Sequence, residues 1–166
     1  MEIREATIGD VERVLKIMEE ARRFQRSLGF RQWEDGYPSE TDIRRDILTG
    51  DAFVFTANGK VAGYAYLPVG DAAYDALSGT WMHFGDFGVI HRLAVASEVR
   101  GKGFSAPLFK LMENTFTQRG INLIRVDTGE ENKIMQNILS RAGYECRGLR
   151  HFPWGDRLAY EKQLQK

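Results

Sequence analysis

The chain has 166 residues, enough for one domain with a substantial core and too short for two of ordinary size. Hydrophobic residues make up 43% and charged residues 28%, the balance of a soluble globular protein, and 23 Lys plus Arg match 23 Asp plus Glu, so no overall field draws the molecule to nucleic acid or a membrane. A single cysteine, Cys146, excludes an internal disulfide framework and a multi-thiolate zinc site.

Charges across Met1–Asp10 interrupt any apolar run of the signal-peptide kind, and no later stretch is apolar enough to span a bilayer, so a cytoplasmic location is expected. Without repeats, low-complexity tracts or a Ser/Pro-rich linker, residues 1–166 read as one domain.

Met1–Ala6 has the pattern of a short strand. Asp10 is placed to cap a helix whose apolar positions Val11, Val14, Leu15, Met18 and Ala21 follow helical spacing. A second helix is expected from about Ser39 to Leu48, with Gly50 ending it. Ala52–Phe55 and Lys60–Pro68 are β-like and flank Asn58-Gly59, a strong two-residue hairpin signal. Between Gly70 and Gly88 no periodicity holds. Val89–Val95 then reads as one buried strand, and Ser97–Gly103 as a turn.

Helical spacing returns at Leu108, Leu111, Met112 and Thr115 and ends near Gly120; Pro107 is tolerated only in the first turn, so this helix starts no earlier than about Phe104. Leu123–Thr128 is a strand and Asn132–Ala142 a helix with Gly143 at its C-cap. Tyr144–Arg150 and Leu158–Leu164 are strands around a turn at Pro153-Trp154-Gly155-Asp156. That order is mixed α+β rather than the strict alternation of a doubly wound sheet.

The chemistry concentrates in His91-Arg92-Leu93-Ala94-Val95 followed by Arg100-Gly101-Lys102-Gly103-Phe104-Ser105. A strand runs into a turn with two glycines and two cations, and then into a helix. Exposed N–H groups and the positive dipole end at a helix start make an anion site, and glycine permits close approach. The inference is a phosphate or pyrophosphate held at residues 100–105; a tight turn that happens to be basic is the plainer alternative. A Walker loop is excluded because Lys102 is followed by Gly103, and a dinucleotide fingerprint because only two glycines are present and lie deep in the chain.

These residues resemble the GNAT N-acetyltransferase superfamily, in which a strand ending Leu-Ala-Val leads through a turn to [Arg/Gln]-x-x-Gly-x-[Gly/Ala]. Thr128-Gly129-Glu130-Glu131-Asn132 and Arg141-Ala142-Gly143-Tyr144 are similar to further pieces of that family, and the likeness covers nearly the whole chain. It implies a GNAT-like α+β fold, with a central, mostly antiparallel mixed sheet splayed near Leu93–Val95 and helices on both faces.

By the same resemblance, the cosubstrate is acetyl-CoA with no metal. Main-chain groups along Leu93, Ala94 and Val95 would hold the pantetheine arm, and residues 101–105 the pyrophosphate. Asn132 would contact the cofactor. A homodimer is a common state in the family. Ser105 departs from the motif but is small. The family's frequent general-acid Tyr, seven positions after the Asn, is here Leu139, so the thiolate would leave unassisted, as a thiol of pKa about 8.5 can.

Direct transfer to an amine of pKa about 10.4 benefits from a base. His91, two residues before Leu93 and expected on the same strand face, is the candidate; a His packed with one satisfied nitrogen is the alternative. His83 and His151 lack supporting carboxylates or thiols and make no metal site. Cys146 reads as a core residue.

Trp33, Tyr37 and Trp81 are candidate walls of an acceptor pocket, with Glu34, Asp35 or Asp127 meeting a cation. Packing of long loops is the competing reading. Two non-catalytic readings stay open at this point: a CoA-binding regulatory module and a nucleotide-phosphate binder.

Overall fold

Short-range signals set most of the element boundaries in the computed structural model, which describes residues 1–34 and 36–165; Asp35, one of the carboxylates considered above, lies outside the described residues. In chain order the elements are β1 (Glu2–Glu5), a 3-10 turn (Ile8–Asp10), α1 (Val11–Ser27), α2 (Glu40–Thr49), β2 (Ala52–Ala57), β3 (Lys60–Tyr66), α3 (Ala72–Asp75), β4 (Gly88–Val89), β5 (His91–Val95), α4 (Ser105–Gln118), β6 (Leu123–Thr128), α5 (Lys133–Arg141), β7 (Glu145–Phe152) and β8 (Gly155–Gln163). They divide into two compact units, Met1–Leu67 with His91–Leu108, and Pro68–Ile90 with Phe109–Lys166. Among the described residues no helix is long and apolar enough to cross a membrane.

The first unit is built on the antiparallel sheet β1-β2-β3-β5. Its helices follow the apolar spacing: Val11, Val14, Ile17, Met18 and Ala21 form the buried stripe of α1 and join Ile43, Val54 and Tyr64 in one core. Asn58 and Gly59, at φ 51° and 72°, make the two-residue turn between β2 and β3. Helix α2 opens with a capping box, Asp42 N–H donating to Ser39 Oγ at 3.3 Å and Ser39 N–H to Asp42 Oδ2 at 2.8 Å, and closes on left-handed Gly50.

Asp10 does not cap α1 as expected. Its carboxylate turns back to accept from Thr7 N–H at 2.8 Å and from Arg4 Nη1 and Nη2, both at 2.8 Å, because Thr7 heads a capping box one turn earlier.

The second unit is built on the sheet β4-β6-β8-β7, antiparallel except for the short β4–β6 pair. The segment without periodicity is ordered by packing: Asp71 caps α3, and Tyr74, Trp81, Phe87 and Phe152 cluster with Val89 and Leu123 in a core of their own. Gly88 is sterically required, since a Cβ there falls 2.2 Å from the Phe116 ring.

The mixed α+β class and the antiparallel bias agree with expectation. The single strand expected over Val89–Val95 does not form. Gly88–Val89 pairs with β6, Ile90 N–H still donates to Arg125 O at 3.2 Å, and from His91 the chain pairs with β3 instead. The change of partner falls at the polar pair His91-Arg92, between the apolar residues Val89-Ile90 and Leu93-Ala94-Val95, and the apolar pattern does not say which strand each side pairs with.

Candidate functional site

Strand β5 carries a bulge. Tyr66 pairs with His91, and Tyr64 with Ala94, so two residues of β5, Arg92 and Leu93, stand against the single Ala65 and have no register partner. Arg92 takes φ 52°, the left-handed region that a branched or long side chain rarely adopts. The extra residue corrects the expectation for His91: it shares a face with Tyr66, Tyr64 and Ala94, not with Leu93. Its ring is half-buried and stacks on Tyr66, with centroids 6.2 Å apart.

Around the bulge lies a buried polar cluster. Arg92 Nε donates to Asp46 Oδ2 at 2.7 Å and Nη2 donates to Asp46 Oδ1, a two-pronged pair whose side chains are 15% and 3% exposed. Tyr64 OH donates to the same Oδ2 at 2.7 Å, and Arg92 Nη1 to Tyr37 OH at 2.7 Å. The guanidinium also lies 4.7 Å from the centre of the Tyr66 ring. Burial opposes the charge on Arg92, but the Asp46 hydrogen bonds outweigh it and hold its pKa above the ordinary value. Burial first, and then the Asp46 charge, raise the Tyr64 hydroxyl.

After β5 the chain tightens, Val99 N–H and Arg100 N–H both donating to Ala96 O at 3.1 Å. Glu20 of α1 fixes the turn by accepting from Ser97 N–H at 2.7 Å. Arg100 folds inward: its guanidinium covers the Phe24 ring at 4.3 Å and donates to Val95 O at 3.2 Å. Gly101 and Gly103, at φ 75° and 78°, and Lys102 are exposed. Among the described residues the N–H groups of Gly101, Gly103 and Phe104 make no hydrogen bond. α4 follows at once, Pro107 sitting in its first turn as expected. An exposed set of main-chain donors at a helix start fits a diphosphate, and a Cβ built at Gly101 or Gly103 would meet nothing within 4 Å.

Tyr37 and Trp33 belong to this unit, Tyr37 as Arg92's partner and Trp33 packed on the core. The other three sequence candidates lie in the second unit. Trp81 is 8% exposed, donates from Nε1 to Tyr74 O at 2.9 Å and stacks on that ring, which makes it a core residue there. Asp127 accepts from Arg157 Nε at 2.8 Å, from Trp154 Nε1 at 3.2 Å and from Tyr74 OH. Asn132 opens α5, its Oδ1 accepting from Met135 N–H at 3.0 Å. Leu139 is fully buried. Cys146 is exposed rather than in the core, paired with Tyr160 just before a register shift in β7.

A model of the acetyltransferase (GNAT) family matches residues 14–144. The chain belongs to the GNAT acetyltransferase family. A GNAT-family acetyltransferase from Streptococcus agalactiae is 35% identical over 99% of this chain and 96% of its own, with a TM-score of 0.88. The aminoglycoside acetyltransferase AAC(6')-Ib, solved with ribostamycin and coenzyme A, is 20% identical over 98% of this chain and 92% of its own, TM-score 0.73. The PaiA N-acetyltransferase of Thermoplasma acidophilum, solved with coenzyme A, is 16% identical over 98% of each chain, TM-score 0.72. At those two identities the likeness is one of fold. A comparison with curated proteins gives no match.

In this GNAT chain the glycine turn is legible in the sequence, whereas the pairing of Asp46 with Arg92 is not. A signal existed: Asp46 falls on the buried face of α2 with Ile43, an acidic residue at a position the helical period assigns to the core.

Proposed function

We propose that the protein transfers an acetyl group from acetyl-CoA to a primary amine of a small molecule or peptide. The observation that carries the reading is the bulged β5 running directly into an exposed glycine turn and helix start, all within one unit. The main chain of Leu93 to Val95 takes the amides of the pantetheine arm as an added strand would, and the N–H groups of residues 101–105 take the pyrophosphate. Lys102 adds positive charge there, and Arg100 holds the turn from inside.

The acceptor nitrogen attacks the thioester carbonyl directly. The C–N bond forms, the C–S bond breaks, and Leu93 N–H, free of a register partner, stabilises the oxygen as it gains charge. His91 removes the proton from the attacking amine. The coenzyme leaves as thiolate, since Leu139 has no proton to give, and takes a proton from water. Trp33 and Tyr37 are assigned to the acceptor side; Trp81 and Asp127 are occupied in packing and ion pairing.

The test is calorimetric titration with acetyl-CoA on the wild type and on Gly103→Glu, which puts a carboxylate and a strained backbone into the turn. Binding that the variant loses supports the assignment; no binding by the wild type overturns it. Thiol release is then screened with spermidine, ribostamycin, free amino acids and short peptides. His91→Ala should slow turnover while leaving acetyl-CoA affinity nearly unchanged, and a variant as fast as wild type removes the base. Binding without turnover of any amine favours a CoA-sensing module.

A further inference from the structure

The bulge in β5 is held by Asp46 and Arg92, which the acetyl-transfer reading leaves without a role, and by Tyr37, which it places on the acceptor side. A non-glycine residue in the left-handed region persists only where its surroundings over-determine it. At Arg92, φ 52°, the surroundings are Asp46 from α2, Tyr37 from the preceding loop and Tyr66 from β3. Asp46 is fixed in turn by Tyr64 OH at 2.7 Å, and its own carbonyl accepts from Thr49 Oγ at 2.7 Å.

Anchoring α2 to the sheet does not require this arrangement, because Ile43 and Ile47 already pack into the core. A buried ion pair adds little stability over apolar residues of similar volume. Its two-pronged geometry does, however, select one backbone conformation out of several, at the residue immediately before Leu93.

We propose that Asp46, Arg92 and Tyr37 form a positioning clamp that fixes the β5 bulge and so aims the main-chain groups of Leu93 and Val95 at the pantetheine arm. The proposal rests on the acetyl-CoA reading above. None of the three side chains reaches the reacting atoms in this role; each acts through the backbone of β5. Tyr37 gives the clamp a second consequence, since it ties the loop before α2 to the same guanidinium.

The experiment compares two ligands on the full chain. Acetyl-CoA needs β5 and the glycine turn, whereas adenosine 3′,5′-bisphosphate has no pantetheine arm. Arg92→Lys keeps the charge but loses the two-pronged geometry. Its Kd for acetyl-CoA should rise about tenfold, the loss of one well-aimed hydrogen-bonding interaction, with the bisphosphate Kd unchanged.

An unchanged acetyl-CoA Kd overturns the clamp, as does an equal weakening of both ligands, which marks a general structural defect. Where Arg92→Lys does not fold, Tyr37→Phe decides, because Tyr37 is 42% exposed and only a hydroxyl is lost. There the acetyl-CoA Kd should rise about threefold, and a value equal to wild type overturns the clamp. Wild-type protein that binds no acetyl-CoA overturns the underlying reading and the clamp with it.

Discussion

Each of the two units contains the same small machine: an aspartate that accepts from an arginine Nε and from a tyrosine hydroxyl. In the first unit these are Asp46, Arg92 and Tyr64; in the second they are Asp127, Arg157 and Tyr74. Burial, and then the neighbouring aspartate, raise the pKa of both tyrosines, so both remain donors across the working range of pH. What differs is the backbone. Arg157 sits in a regular ladder opposite Arg150, whereas Arg92 sits in a bulge at positive φ with no register partner. One set of contacts therefore secures an aromatic core, and the other holds a strained geometry beside the glycine turn.

The largest effect expected is on stability, in the regular site. Asp127→Ala leaves Arg157, Trp154 and the buried Tyr74 hydroxyl without their acceptor, and should cost about 3–5 kcal/mol, read from the urea midpoint at unchanged slope. Next come the matched hydroxyl deletions. Tyr64→Phe and Tyr74→Phe each remove a bond to a charged group and should each cost about 1.5–3 kcal/mol. Only Tyr64→Phe should also weaken acetyl-CoA. Equal binding by the two variants would erase the functional half of the comparison.

The parts of the chain that could be read in advance are those whose determinants are local. The helix start at Ser39, its end at Gly50, the Asn58-Gly59 turn and the helix start at Asn132 all depend on residues close in sequence, and each appears where expected. The glycine turn after β5 was legible for the same reason. Asp46 and Arg92 are 46 positions apart, so neither announces the other.

The aromatic packing of residues 74–87 against Phe152 is equally long-range. The change of partner after Ile90 lies at His91-Arg92, and the apolar residues on either side report burial and not which strand is the partner. Asp10 went to Arg4 and Thr7 because a competing cap lay one turn upstream.

Smaller in effect, but sharper on the backbone, is the pair Arg92→Gly and Arg92→Ala. Both lose the guanidinium, yet glycine accepts φ 52° without a Cβ penalty. The glycine variant should be more stable by about 1 kcal/mol, the reverse of the order at an ordinary strand position. If alanine is the more stable replacement, the bulge does not persist without its clamp and relaxes into a regular strand.

The smallest effect separates these buried pairs from an exposed one. Arg4–Asp10 has the same chemistry, but the Arg4 side chain is 47% exposed. The hydrogen bonds from Arg4, against the cost of burial, bring the Asp10 carboxyl down to about 2. With an unfolded value near 3.9, the folded state binds the proton less readily, so the contribution is complete above about pH 4 and vanishes as pH falls through 2. Discounted for solvent, Asp10→Asn should cost about 1 kcal/mol at pH 6, less at pH 3, and less again in 1 M salt. Asp127→Ala should keep its full cost in 1 M salt, since screening reaches a buried pair poorly. A cost for Asp10→Asn that ignores both salt and acid would mean that the Thr7 cap, a hydrogen-bonding device, carries the contribution rather than the charge on Arg4.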